Sequence, residues 1–229
     1  MRYLLTLLAL TACVDHAPSQ EPFAMQRDAM VRDQIEARGV RDPRVLAALR
    51  TVPRERFVAA GSESLAYHDS PLSIGHGQTI SQPYIVAVMS EAAAIEPDDV
   101  VLEIGTGSAY QAAVLGELAR QVYSIEIVPA LATRADALLR TLGYDNVTVR
   151  LGDGYAGWPE HAPFDAIVVT AAPPAVPEAL KQQLKVGGRL VVPVGVNDQD
   201  LLVIERTAGG FDKRRLMAVR FVPMVKEQR

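Results

Sequence analysis

Hydrophobic and polar positions follow two different rhythms along this chain, and the change of rhythm divides it. Over residues 25–38, Met30, Ile35 and Ala37 are interleaved with Arg27, Asp28, Arg32, Asp33 and Glu36, which predicts a surface helix ended by Gly39. A second short helix is expected after Asp42-Pro43, with Val45, Leu46 and Leu49 on one face. Val52-Pro53-Arg54-Glu55-Arg56-Phe57 predicts a further turn or helix start. Residues 23–83 therefore read as a helical cap, too small and too charged to own an independent core. After Pro83, Ile85, Val86, Val88 and Met89 carry an apolar-faced helix to about Ala94.

From there short β-branched runs alternate with amphipathic stretches. Strands are predicted at Val100–Ile104, Val122–Ile127, Val147–Leu151, Ala166–Thr170 and Arg189–Val194, and helices at Tyr110–Ala119, Pro129–Leu142 and Pro177–Gln183. Such alternation implies an α/β core over residues 84–229, a mostly parallel sheet covered by helices on both faces. Leu201–Arg206 and Leu216–Val222 are joined through Gly209-Gly210 with no helix between them. They predict a closing C-terminal antiparallel hairpin.

The first 22 residues obey neither rhythm. Arg2 precedes the apolar run Leu4-Leu5-Thr6-Leu7-Leu8-Ala9-Leu10, which is too short to span a bilayer as a helix but fits a signal-peptide core. Leu10-Thr11-Ala12-Cys13 resembles the bacterial lipobox, in which the cysteine is lipidated and becomes the new N-terminus. Val14 to Pro22 would then be a polar tether. The expectation is a membrane-anchored lipoprotein facing the periplasm or cell exterior, lipidated at Cys13, with residues 1–22 as signal peptide and tether and one domain over residues 23–229. Two plainer readings compete. Cys13 is an ordinary thiol, or the true start is Met25 or Met30, which would leave the protein cytoplasmic.

Composition narrows the chemistry. The 229 residues are 49% hydrophobic, enough for one sizeable domain, and a formal charge of -4 gives no reason to expect nucleic-acid binding. One cysteine and four scattered histidines form no metal-ligand spacing, so no metal is expected. A monomer is expected.

Candidate chemistry lies where strands end. Val100-Val101-Leu102-Glu103-Ile104 breaks into Gly105-Thr106-Gly107-Ser108 and then a helix, the pattern that cradles a nucleotide-like ligand. Glycine there lets the backbone turn sharply and approach the ligand. Glu126, about 20 positions beyond Gly107 at the tail of the next strand, suits a carboxylate accepting from two ribose hydroxyls. Alternatively these are structural turn glycines. Gly152-Asp153-Gly154 follows the third strand, where Asp153 would meet an adenine amino group, unless it is simply an Asp-Gly turn. Thr170 ends the fourth strand, a position that faces reacting groups in such sheets.

The runs Gly77-Gln78-Thr79-Ile80-Ser81-Gln82-Pro83, Val101-Leu102-Glu103-Ile104-Gly105-Thr106-Gly107-Ser108, Gly152-Asp153-Gly154 and Pro163-Phe164-Asp165-Ala166-Ile167-Val168-Val169-Thr170-Ala171-Ala172 resemble those of the protein-L-isoaspartate O-methyltransferases. Val52-Pro53-Arg54-Glu55-Arg56-Phe57, Gly187–Gly195 and Arg220-Phe221-Val222-Pro223 are similar too, in order, over roughly residues 30 to 225. The resemblance implies the Rossmann-like S-adenosylmethionine-dependent methyltransferase fold. It also implies methyl transfer to the free α-carboxylate of L-isoaspartyl residues in damaged proteins, with repair through a succinimide. S-adenosylmethionine is the cofactor it implies, and isoaspartyl proteins and peptides are the partners.

By the same resemblance Ser81 is the active-site residue, its hydroxyl and neighbouring amides orienting the substrate carboxylate. It could equally be the N-cap of the helix that follows. Gln78, Thr79 and Ile80 would line the cofactor and peptide cleft. Glu103, Gly105, Thr106, Gly107, Ser108, Glu126, Asp153, Gly154 and Thr170 complete the expected cofactor site. One departure is Ala109, where the family usually has glycine: strained if its φ is positive, benign if it merely begins the helix. His76 is expected at the surface.

A carboxylate acceptor is ionised at neutral pH, with an unperturbed pKa of about 3.5 to 4, so no strong general base is needed. The absence of a His/Asp or Cys/His constellation agrees with that. Three other readings stay open: a methyltransferase acting on another carboxylate, a membrane-tethered binding module without catalysis, and, more weakly, a nicotinamide oxidoreductase.

Overall fold

The computed structural model describes residues 21–226; the expected signal peptide and Cys13 lie outside the described residues, apart from Glu21 and Pro22. The first helix, α1 (Glu21–Ala29), widens into a π turn over Met30–Ile35, tightens over Glu36–Arg38, and stops at Gly39, whose φ of 101° only glycine adopts readily. Its inward residues Met30, Val31 and Ile35 are buried. In α2 (Pro43–Thr51) the Asp42 carboxylate accepts from the amides of Arg44 (2.8 Å) and Val45 (3.4 Å) and so caps the helix. Val45, Leu46 and Leu49 face inward as their spacing predicts.

The polar segment around Gly77–Pro83 is more ordered than a loop. β1 (Leu72–Gly75) and β2 (Gln78–Ile80) form an antiparallel hairpin closed by His76 and Gly77, with φ of 54° and 70°. Two left-handed residues make the turn whose twist matches the hairpin. His76 is exposed, as expected. Helix α3 (Pro83–Ala93) follows and ends on Ala94 in the left-handed region.

The core is a seven-stranded sheet in the order β5-β4-β3-β6-β7-β8-β9. Its strands are β3 (Val100–Ile104), β4 (Gln121–Glu126), β5 (Val147–Leu151), β6 (Phe164–Val169), β7 (Leu184–Val194), β8 (Gln199–Thr207) and β9 (Gly210–Val219). Pairings among β3, β4, β5, β6 and β7 are parallel; β7–β8 and β8–β9 are antiparallel. Helices α4 (Tyr110–Gly116), α5 (Pro129–Thr141) and α6 (Glu178–Gln182) make the connections. The last strand begins at Gly210, earlier than the predicted Leu216. Phe211-Asp212-Lys213-Arg214-Arg215 is mostly exposed at the sheet's edge and shows no apolar alternation to read.

Both faces of the sheet are buried. One cluster joins Val101, Val122, Ala166 and Val191 to α3, α4, α5 and to cap residues such as Met30, Leu49 and Phe57. The other packs Leu102, Ile104, Ile167 and Leu190 against Trp158, Phe164, Leu180 and Leu184. The chain leaves β3 towards β4 and β5, then returns to β6 on the other side of β3. The carboxyl ends of β3 and β6 therefore flank the crevice where such sheets bind ligands.

Candidate active site

β3 runs directly into Gly105 (φ 97°) and Gly107 (φ 54°). A methyl group on Gly105 would stand 2.5 Å from Thr170 Oγ1, whose hydroxyl lies 2.6 Å from the Gly105 carbonyl and 3.0 Å from that of Ile104. Position 105 thus needs glycine for both torsion and space. Glu126, at the end of β4, is nearly buried: Oε2 accepts the Gly107 amide at 2.7 Å and Oε1 accepts the Val128 amide at 2.9 Å. Each oxygen keeps a lone pair for a hydroxyl group.

Together these parts wall one cleft at the carboxyl ends of β3 and β4. Gln78, Thr79, Ile80 and Ser81 form one wall; Gly105, Thr106, Gly107, Ser108, Glu126, Gly154 and Thr170 form the others. Glu126 is the one charged side chain among the described residues lining it. That suits a ligand rich in hydroxyls and carrying positive charge better than one carrying a pyrophosphate.

Two expected cofactor residues fall elsewhere. Asp153 is not part of the cleft wall; its Oδ1 accepts the Tyr155 amide at 2.9 Å and caps the short turn Gly154–Ala156, the plain Asp-Gly role. Glu103 is wholly buried in β3 and does not reach the cleft surface. It accepts from the Ser124 hydroxyl, which lies 2.5 Å from Thr106 Oγ1, while its Oε1 has no partner among the described residues. Burial above all, with the nearby Glu126 charge, pushes the Glu103 carboxyl up to about 8 against the opposing Ser124 bond.

Ser81 does not cap α3. Asp69, far upstream, supplies that bond, its Oδ1 accepting the Tyr84 amide at 3.2 Å. Ala109 does both things that were weighed against each other: it begins α4 and has a φ of 73°. Its left-handed backbone carries strain of about 1 kcal/mol, and its methyl group is buried.

Sequence reasoning passed over several wall residues. Tyr110 and Gln111 read as ordinary helix positions, and Val222, Pro223, Met224 and Val225 lie beyond the last strand. This tail returns across the sheet because the Ala172 amide donates to the Val222 carbonyl and the Met224 amide to the Ala172 carbonyl, each at 2.8 Å. The Arg220–Pro223 run was its sole signal, and no periodicity placed it at the cleft.

Beside the cleft runs a second cavity of about 710 Å³, lined by Arg38, Tyr84, Ile85, Met217, Arg220 and Phe221 among others. Thr79, Ser81, Thr170 and Val222 line both cavities.

The family profile described as protein-L-isoaspartate(D-aspartate) O-methyltransferase matches residues 25–229. The chain belongs to that family. It is 59% identical to a protein-L-isoaspartate O-methyltransferase of Synechococcus sp. (strain JA-2-3B'a(2-13)) over 90% of this chain and 88% of the relative. With the same-named protein of Opitutus terrae it shares 53% identity over 100% of both chains. A solved Plasmodium falciparum structure, described as a protein-L-isoaspartate O-methyltransferase in complex with S-adenosyl-L-homocysteine, superposes with a TM-score of 0.77. Its identity is 25%, over 88% of this chain and 99% of that one. The family match begins at Met25, inside α1, and takes in the cap, the hairpin, the sheet and the returning tail.

Proposed function

We propose that this S-adenosylmethionine-dependent O-methyltransferase methylates the free α-carboxylate of L-isoaspartyl residues in damaged proteins. The observation that carries the reading is the meeting of two cavities at Thr79, Ser81, Thr170 and Val222. One cavity carries the glycine turn and Glu126, which suit an adenosyl ligand; the other is a groove beside it that suits a peptide. S-adenosylmethionine, when bound, supplies an electrophilic methyl group on a sulfonium leaving group.

The chain's task is then placement. A substrate carboxylate oxygen forms the new O–C bond as the S–C bond breaks, and no proton moves. The absence of a general base from the shared walls agrees with this. Ser81 would orient the carboxylate with its hydroxyl and the adjoining amides, Glu126 would accept from the cofactor's ribose, and Thr79 and Thr170 would border the reacting groups. The methyl ester is then attacked by the next backbone amide nitrogen, methanol leaves, and hydrolysis of the succinimide yields some normal aspartyl linkage.

Protein lacking residues 1–22, incubated with tritiated S-adenosylmethionine and matched isoaspartyl and aspartyl peptides, tests the assignment. Label on the isoaspartyl peptide alone is expected. Cofactor binding with neither peptide labelled would overturn it in favour of another acceptor.

For location, we propose a lipid anchor at Cys13, supported by the order of Arg2, the apolar run, small residues, cysteine and polar spacer. Mass spectrometry of the mature N-terminus tests this: a diacylglyceryl Cys13 is expected, and an unmodified start at Met25 or Met30 rules it out. We also propose that the protein acts as a monomer, since residues of one chain supply every wall described above; a dimer in light scattering would overturn that.

A further inference from the structure

The cap buries an arginine completely. Arg54 has no exposed surface; its Nε donates to the Ala66 carbonyl and its Nη2 to the Ser81 carbonyl, both at 2.7 Å. Its guanidinium stands 4.6 Å from the centre of the Tyr110 ring. Among the described residues it forms no ion pair, and Nη1 lies within hydrogen-bond geometry of no acceptor. Taking a cation out of water without a counterion is costly, and an aliphatic side chain would fill the same space without that penalty. Burial accordingly weakens its hold on the proton, although an arginine stays charged at any physiological pH.

What the cation provides is geometry. Ala66 precedes the hairpin, Ser81 sits at the junction of β2 and α3, and Tyr110 opens α4 behind the glycine turn. The Ser81 carbonyl has no role inside α3, where the first amides donate to Gln82 instead. A planar guanidinium can hold two carbonyls at a fixed angle while presenting its face to a ring; an ammonium group cannot. Tyr110 lines the cofactor cleft, and Ser81 lines both that cleft and the groove.

We infer that Arg54 is a positioning residue, which sets Ser81 at its working distance from the cofactor by tying the Ser81 carbonyl to the start of α4. The inference rests on Ser81 orienting the substrate carboxylate. Arg54 touches neither substrate nor cofactor and acts through the backbone of position 81.

The test compares Arg54→Lys, Arg54→Met and Ser81→Ala in the full domain, assayed with an isoaspartyl peptide well below each variant's Tm, with cofactor affinity measured separately by calorimetry. Lysine keeps the charge and reaches one carbonyl. Arg54→Lys is expected to bind S-adenosylmethionine within about threefold of the parent while kcat falls about tenfold or more, as misplacement of a reacting group does. Arg54→Met should fall further, and KM should change less than kcat. Folded Arg54 variants with the parent's kcat overturn the proposal, as does a loss that saturating cofactor restores.

Ser81→Ala separates the two readings. If it runs at the parent's rate, the role of Ser81 falls and that of Arg54 with it. If it is slow while Arg54→Lys is fast, only the proposal for Arg54 falls. Should neither Arg54 variant fold, an ester in place of the Ser81–Gln82 amide weakens the acceptor and leaves Arg54 intact. A several-fold loss of kcat is then expected, and an unchanged kcat overturns the proposal.

Discussion

The Gly107 amide donates to Glu126 Oε2 at 2.7 Å, across 19 positions of sequence and between two parallel strands. One carboxylate therefore holds the glycine turn in shape and also forms part of the cleft wall. Glu126→Gln should weaken S-adenosylmethionine binding about tenfold, and Glu126→Ala about a hundredfold, because each step removes charged acceptors from amides and ligand alike. Calorimetric Kd values check this. Affinities of both variants within about threefold of the parent would refute the ribose role.

Gly105→Ala combines two penalties: a φ of 97° and a methyl group 2.5 Å from Thr170 Oγ1. A loss of about 2 to 3 kcal/mol in urea unfolding is expected, with loss of cofactor binding. Adding Thr170→Ala removes the clash but not the torsion, so the double variant should recover only part. Full recovery would show that the torsion does not matter.

Two alanines occupy the left-handed region in different surroundings. Ala94 ends α3 and is exposed, whereas Ala109 begins α4 and is fully buried. Ala94→Gly should stabilise the fold by about 1 kcal/mol, a Tm rise of roughly 2 to 4 °C. Ala109→Gly relieves the same strain but removes a buried methyl worth about 0.8 kcal/mol, so its net effect should be close to zero. Scanning calorimetry on the pair separates torsion from packing; equal shifts would contradict this account.

Glu103 makes stability depend on pH. Its folded pKa of about 8 lies above the ordinary glutamate value of 4.5, so the folded state binds the extra proton between those limits. Its contribution is fully present below about pH 4.5 and is lost as pH rises through about 8. Glu103→Gln resembles the protonated form. Its Tm should match the parent's near pH 4.5 and exceed it by several degrees at pH 9, with the gap opening steadily in between. Parallel Tm curves over that range would rule out a buried, protonated Glu103.

The sheet was legible because its signal is local. Strands such as Val100–Ile104 and Val147–Leu151 are short apolar or β-branched runs bounded by turn residues, and their predicted limits coincide with the observed ones. The hairpin at Leu72–Ile80 was not legible as strands. It is short and half exposed, and the His76-Gly77 turn declares itself only through positive φ. Asp153 and Glu103 share motifs with true wall residues, and a motif does not state which way a side chain points. The capping of α3 by Asp69 and the return of Val222–Val225 to the cleft depend on contacts between distant segments, for which no periodicity exists.

By itself the sequence determined the α/β core, the glycine turn, a carboxylate, Glu126, at the tail of the next strand and a family resemblance centred on Gln78–Ser81. All of these are written in short runs whose spacing matches one helix or one strand. Only the tertiary structure decided which of those residues meet in one cleft, that Ser81 borders two cavities rather than capping a helix, and that Arg54 is buried beneath it. These depend on burial and on hydrogen bonds closed between residues far apart in the chain, and such bonds exist only once the sheet has brought their partners together.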